Sequence, residues 1–360
     1  MSYLVYSIKH NQEMRKKLLD DLKLIHQRDP SDALGVAEKQ PIQLTQTYGV
    51  RVTPKADIQN VVVMGMGGSG WPALYIPVWP GVRVPFQLVN DYAIPGYVSE
   101  HTLCIVASHS GNTEETLAAL EAAEKTGATI VAITHGGKLL ERAATQNIPC
   151  FELPGGTQPR MSTFYFIAAY IELLEQLGLV AEGSGEELRT TSEWLAQQVR
   201  AWLPTVPTAQ NQAKQLAQEM IGKSVVVYGT PITGPVARKW KICINENAKH
   251  IAWWNQFPEV SHNEFIGWSQ QPVDKPYCVV DLRCSLDNQR IIKRMELTDR
   301  MLSGKRPATH VVEAAGDTVL QQMLWTSVLG DFTSVYLSIL NNVDPTPVDL
   351  VEKFKVALEE

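Results

Sequence analysis

The stretch Ser108-His109-Ser110-Gly111-Asn112-Thr113-Glu114-Glu115-Thr116 follows directly on the apolar run Leu103-Cys104-Ile105-Val106-Ala107. Hydroxyls and a glycine therefore crowd the point where a buried strand should hand over to a helix. At such a junction the N–H groups of the first helical turn lack intrahelical acceptors and the macrodipole is positive, which favours a dianion. Ser108, Ser110 and Thr113 can add side-chain donors, and Gly111 permits a bend that a Cβ would resist. Ser or Thr followed by Glu is also an ordinary capping signature, but a cap needs one hydroxyl and this turn has several. It reads as a phosphate cradle without a lysine.

A second turn, Gly65-Met66-Gly67-Gly68-Ser69-Gly70, closes the run Val61 to Met64. There Gly67, Gly68 and Ser69 would let the backbone approach the sugar of a small phosphorylated ligand lying across a sheet crevice. The same residues fit G-x-G-x-x-G, with Asp91 about twenty residues on as a dinucleotide fingerprint asks. Against a dinucleotide, Pro72 and Pro77 interrupt the helix that should begin there, and the hydroxyl-rich turn at Ser108 to Thr113 would have no use. A phosphosugar is the better fit, with an NAD-binding enzyme as the alternative.

Groups able to move protons lie further along. Gly234 to His250 carries Arg238, Lys239, Lys241, Asn245, Glu246, Asn247 and Lys249 around Val236, Trp240 and Ile244. Glu246 is the candidate base; as an arbitrary helical glutamate it would simply pair with a neighbouring lysine. His262, within Phe257-Pro258-Glu259-Val260-Ser261-His262-Asn263-Glu264, is either a second proton-transfer group or a loop histidine with no task. The eight histidines form no H-x-H or H-x-x-x-H pair, so no metal is expected, and a metal-free acid/base reaction on a sugar phosphate is left.

The elements that must hold these groups alternate in kind. Short β-branched runs at Val61 to Met64, Phe86 to Val89, Leu103 to Ala107, Thr129 to Ile133 and Cys150 to Leu153 are separated by turns and helical patterns. Helices over Thr163 to Leu179 and Glu186 to Leu203 lead to Pro204 and Pro207, a plausible boundary. The pattern restarts with a helix at Thr208 to Ile221, strands at Ser224 to Tyr228, Tyr277 to Leu282 and His310 to Glu313, and a long helix at Val319 to Leu340. The expectation is two α/β domains with mainly parallel sheets. An N-terminal helical extension occupies 1–50, the domains 51–205 and 206–342, and a helical tail 343–360.

Composition sets wide bounds. In 360 residues, 44% hydrophobic and 19% charged, Lys+Arg 32 against Asp+Glu 38 leaves a net charge of −6, which argues against a nucleic-acid or anionic-membrane partner. The five cysteines form no C-x-x-C pair, which suits a reducing cytoplasm. Met1 to Asp21 has no apolar core, so no secretory signal is expected. Phe164 to Val180 is apolar but is interrupted by Glu172, Glu175 and Gln176, and reads as a buried helix rather than a membrane span.

The order G-M-G-G-S-G, S-x-S-G-N-T-E-E-T, P-R, N-E-N-A-K, F-P-E-x-x-H-N-E and a closing D-P-T-P before a basic helix resembles the bifunctional phosphoglucose/phosphomannose isomerases of the SIS (sugar isomerase) superfamily, from Val61 to Lys355. The resemblance implies two doubly wound SIS domains, a homodimer, no cofactor, and conversion of glucose 6-phosphate, and commonly mannose 6-phosphate, to fructose 6-phosphate. By the same resemblance Ser69, Ser108, Ser110 and Thr113 hold the phosphate, Gly67 and Gly68 line the sugar, and Glu246 shuttles a proton between C2 and C1. It further implies Arg160 as the cation beside the enediolate and His262, donated across the dimer interface, as the group that opens the ring. Lys353 would be its cationic partner, with Lys355 the near neighbour, and Thr346 would leave room for both C2 epimers. His109, where relatives often have an aromatic, is expected to be structural. A non-catalytic SIS protein that senses a sugar phosphate is the other alternative; it would need the turns but not Glu246, His262 or the lysine.

Overall fold

Five parallel strands, β1 (Asn60–Met64), β2 (Phe86–Val89), β3 (Thr102–Ser108), β4 (Thr129–Thr134) and β5 (Cys150–Glu152), form a sheet in the order β2-β1-β3-β4-β5 in the computed structural model, which describes residues 18–270 and 276–358. Residues 1–17 of the expected N-terminal extension lie outside the described residues. The central strands read as near-continuous apolar runs because a parallel sheet is covered on both faces. All seven residues of β3 and four of five in β1 are accordingly buried.

The chain divides into two compact units, one of Lys39–Gln197 and one of Gln198–Glu360 with the chain that precedes Lys39. Helix α1 (Leu22–Arg28) belongs to the latter, and α2 (Ala33–Gln43) carries the chain from it to the former. The five-stranded unit adds the single turn α3 (Gly67–Gly70), then α4 (Glu114–Ala123), α5 (Gly137–Gln146), α6 (Thr163–Gln176) and α7 (Ser184–Gln198). As the prolines require, α3 gives way at once to a 3-10 stretch, Trp71–Tyr75, instead of a full helix.

Helix α6 is the expected buried segment: Phe164, Phe166, Ile167, Tyr170, Ile171 and Leu174 are sealed in the core. Its polar interruptions pin loops. The Glu172 carboxylate accepts from the Tyr48 and Gly49 N–H groups, both at 2.7 Å, and Glu175 accepts from Gly183 N–H at 2.6 Å and Gly185 N–H at 3.0 Å.

The other unit holds β6 (Ser224–Gly229), β7 (Ala252–Gln256), β8 (Tyr277–Arg283) and β9 (Thr309–Glu313), all parallel, in the order β7-β6-β8-β9. Its helices are α8 (Gln212–Met220), α9 (Gly234–Ala248), α10 (Glu264–Gly267), α11 (Gln289–Met301), α12 (Val319–Asn341) and α13 (Asp349–Leu358). Sequence patterning does not find β7, because Ala-Trp-Trp-Asn-Gln has no clean alternation. It forms as an edge strand, with Trp253 and Trp254 exposed. Helix α12 is long and apolar enough to cross a membrane, yet every residue from Gln322 to Leu340 is buried, and it packs on α8 and α9. The contact with α9 is specific: Lys239 pairs with Asp331, Trp240 Nε1–H donates to Thr326 O at 2.9 Å, and Asn247 donates to Ser334 Oγ at 2.8 Å. Gly330 admits the indole, since a Cβ there would lie 2.3 Å from Trp240 Nε1.

Candidate active site

In the five-stranded sheet the strand order reverses between β1 and β3, and ligands of open α/β sheets bind beyond the carboxyl ends of the strands at such a switch point. Both candidate turns leave the sheet there, Gly65 to Gly70 after β1 and His109 to Thr113 after β3. They are joined directly, since His109 N–H donates to Ser69 Oγ at 2.9 Å.

Within the second turn Ser108 Oγ and Thr113 Oγ1 lie 2.8 Å apart, and Gly111 N–H donates to Ser108 Oγ at 3.1 Å. Two hydroxyls own two protons and their mutual bond uses one, so one O–H is left to donate to an anion. Thr113 is the N-cap residue of α4, but its side chain makes no capping bond, which removes the plain capping explanation of its hydroxyl. The first N–H groups of α4 and their dipole add positive potential at the same place. Ser110 lies on the exposed rim, where its Oγ accepts from Asn112 N–H at 3.3 Å.

Glycines let these turns approach one another. Gly111 has φ +68°, and a Cβ on it would lie 1.7 Å from Gly136 O in the His135-Gly136-Gly137 turn after β4. That third turn is locked on by Leu139 N–H donating to Gly111 O and Lys138 N–H donating to Asn112 Oδ1, each at 3.0 Å. Sequence reasoning passed over it, although the His-Gly-Gly triplet after a strand was its signal. A Cβ on Gly68 would lie 2.9 Å from the backbone of Pro159 and Arg160, so the Pro-Arg step rests on the first turn. Arg160 itself is only 2% exposed, in a 3-10 turn over Pro159–Met161.

His109 has the structural place expected of it. Its Nε2 lies 3.2 Å from Ser162 Oγ and its ring is 5.6 Å from that of His135. Burial, helped by His135, pushes its pKa down to about 4, so the ring is neutral behind the turn after β3.

The four-stranded unit has a switch point too, between β6 and β8, but its hydroxyls are spent. Thr233 Oγ1 donates to Leu282 O at 2.6 Å and accepts from Thr230 N–H at 2.9 Å, with both threonines fully buried. What this unit carries is the candidate base. Glu246 is half-buried near the end of α9, and Lys249 caps that helix in the left-handed region with φ 49°. Lys249 Nζ donates to Asp344 O at 2.5 Å, while Thr346 N–H donates to Asp344 Oδ1 at 2.9 Å. The N-E-N-A-K and D-P-T-P segments, and with them Glu246 and Thr346, are thereby tied together, a role for Lys249 and Asp344 that sequence reasoning did not assign.

His262 and Lys353 stand apart. His262 is exposed on the loop after β7, with its N–H on Glu259 O at 2.9 Å, and its ring makes no hydrogen bond or ion pair among the described residues. Lys353 is exposed on α13, a helix with no buried residue, whereas Lys355 Nζ lies 2.8 Å from Glu352 Oε1.

Residues 56–174 match the SIS domain family, and residues 209–358 match the bacterial phospho-glucose isomerase C-terminal SIS domain. A glucose-6-phosphate isomerase like protein from Thermus thermophilus shares the fold with a TM-score of 0.60 at 19% identity, covering 92% of this chain and 99% of that one. The C-terminal domain of glucosamine-fructose-6-phosphate aminotransferase from Francisella tularensis does so with 0.66 at 12%, covering 88% and 98%. The chain is a protein of two SIS domains.

Relatives narrow the class. A bifunctional phosphoglucose/phosphomannose isomerase of Caldicellulosiruptor bescii is 35% identical over 89% of this chain and 97% of its own length, and one of Aquifex aeolicus is 32% identical over 84% and 91%. The chain belongs to the bifunctional phosphoglucose/phosphomannose isomerase family.

Proposed function

We propose that the protein interconverts glucose 6-phosphate and mannose 6-phosphate with fructose 6-phosphate, without a metal, through a cis-enediol. The observation that carries this reading is the 35% identity with a bifunctional isomerase over 97% of that relative's length. The hydroxyl-lined turns supply the phosphate grip that the substrates need. Ser69, Ser108, Ser110 and Thr113 hold the phosphate, and Gly67 and Gly68 line the sugar.

His262, supplied by the partner in a homodimer, opens the pyranose with Lys353 beside the ring oxygen. Glu246 then removes the C2 proton, the enediolate forms beside Arg160, a proton passes from O2 to O1 within the cis-enediol, and Glu246 returns its proton to C1, leaving a ketose at C2. Mannose 6-phosphate reaches the same enediol from the other C2 epimer, and the short side chain of Thr346 leaves room for the intermediate to rotate so that both epimers are accepted. One carboxylate serves both carbons because the C–H acids are weak and the base must stay beside both. The phosphate does not react, so its binding energy is available to hold C1 and C2 at the base. A homodimer acting on cytoplasmic sugar phosphates is the setting implied.

The test is a coupled assay of all three sugar phosphates with wild type and Glu246→Gln in the presence of a chelator. Wild type should turn over each sugar, and Glu246→Gln should lose roughly 10²- to 10⁴-fold in kcat. Equal turnover by both proteins would refute the role of Glu246. No turnover by wild type would favour the non-catalytic sugar-phosphate sensor.

A further inference from the structure

Among the described residues the His262 ring has no hydrogen-bond partner, so its position depends on the backbone around it, which is tied to the sheet before it by Phe257 N–H on Gly229 O at 2.9 Å and after it by side-chain hydrogen bonds. Asn263 caps α10 through its Oδ1, which accepts from Glu264 N–H at 2.6 Å, and its amide donates to the Glu259 carboxylate. Glu264 reaches back to the sheet: one oxygen accepts from Tyr228 O–H on β6 and the other from Asn255 Nδ2 on β7 at 2.6 Å. Trp268 Nε1–H donates to Tyr228 Oη at 2.8 Å, closing the far end of the loop on the same phenol. Burial and the adjoining Glu264 carboxylate push the Tyr228 pKa up, which keeps its proton available for Glu264.

Beneath both rings sits one cation. The Arg306 guanidinium carbon is 5.8 Å from the Tyr228 ring centre and 5.7 Å from that of Trp268, and the residue is 5% exposed. Its Nη2 donates to Asp299 Oδ1 at 2.6 Å and to Thr309 Oγ1 at 2.9 Å, and Asp299 is held in turn by Arg283 Nη2 at 3.2 Å. A desolvated cation attracted to two aromatic faces restrains both rings. Of those rings, Trp268 donates to the Tyr228 phenol, and that phenol donates to Glu264, two residues from His262.

We propose that Arg306 is a positioning residue for His262: through Tyr228 and Trp268 it sets the loop that presents the imidazole. This rests on the assignment of His262 to ring opening. Ring opening can be read separately from isomerisation as catalysed exchange between the α and β anomers of glucose 6-phosphate, followed by NMR, since that exchange needs no proton transfer at C2. Glu246→Gln should keep the exchange while losing isomerisation. His262→Ala should lose both, and Arg306→Leu should lower anomer exchange roughly 10- to 100-fold, the scale of a small misplacement, with KM little changed.

Arg306→Lys, which keeps the cation, should restore most of the exchange. If Arg306→Leu does not fold, Tyr228→Phe, which keeps the ring and removes the bond to Glu264, is judged by the same measure. Wild-type exchange in Arg306→Leu, or in Tyr228→Phe where that variant decides, beside a loss in His262→Ala, overturns the positioning role alone. Wild-type exchange in His262→Ala overturns the assignment of His262 and the proposal with it.

Discussion

The ammonium of Lys249 lies 2.5 Å from the carbonyl oxygen of Asp344, so the last residue of N-E-N-A-K grips the first residue of D-P-T-P. Ninety-five positions separate them in sequence, and the contact joins the end of the helix bearing Glu246 to the turn bearing Thr346. Lys249→Met should therefore lower kcat by roughly 10- to 100-fold while leaving the fold intact, and Lys249→Arg should be milder. Steady-state kinetics beside thermal melts of each variant check this; a Lys249→Met enzyme with wild-type kcat would remove the link.

Ser108 is both an acceptor for Gly111 N–H and a partner of Thr113. Ser108→Ala should raise KM for glucose 6-phosphate roughly 10- to 100-fold, the worth of one hydrogen bond to a charged group, and weaken competition by inorganic phosphate equally. An unchanged inhibition constant for phosphate would place the anion elsewhere.

Two glycines of the turns after β1 and β3 should respond differently to a methyl group. Gly67 has φ +45° but open space at its Cβ position, so Gly67→Ala should cost only about 1 kcal/mol of backbone strain. Gly111→Ala adds a collision with Gly136 O to the same kind of strain, and should cost several times more, on the order of 3 kcal/mol or above. Urea titrations of the two variants give the comparison directly, and equal midpoints would contradict the close approach.

His109 supplies a signed pH dependence. Its pKa falls from 6.5 to about 4 on folding, so between those values the unfolded chain holds a proton that the folded chain does not. Stability from this group is complete above pH 6.5 and declines as the pH falls toward 4, by up to about 1.4 kcal/mol per pH unit. His109→Gln should show a shallower loss over that window and none of the difference at pH 7.5, measured by denaturant titration at several pH values.

Much of the architecture is legible in the chain because parallel strands, buried on both faces, announce themselves as apolar runs. Leu103 to Ala107 and Ser224 to Tyr228 are found that way, and so is the interruption of a helix by Pro72. Strand β7 is not, because an edge strand rich in Trp and Asn owes its form to pairing with β6 rather than to its own pattern. Of the candidate groups, the hydroxyls of Ser108 and Thr113 and the carboxylate of Glu246 stand out by type and by neighbours close in sequence. The His135-Gly136-Gly137 triplet left a local signal but not its contact with Gly111, and the Lys249 grip on Asp344 and the Arg306 cation beneath Tyr228 left none, since each links residues distant in sequence.

The sequence alone thus determined two α/β domains, a hydroxyl-rich turn suited to a phosphate and a family resemblance, because periodicity, turn chemistry and local motifs are short-range properties. Only the tertiary structure decided which hydroxyls remain available. The turn after β3 keeps one O–H to offer, while the Thr230 and Thr233 hydroxyls after β6 are consumed by Leu282 O and by each other. Both turns are hydroxyl-bearing at the end of a strand, but a donor's freedom depends on which acceptors the folded chain brings within 3 Å or so of it, and no local pattern records that.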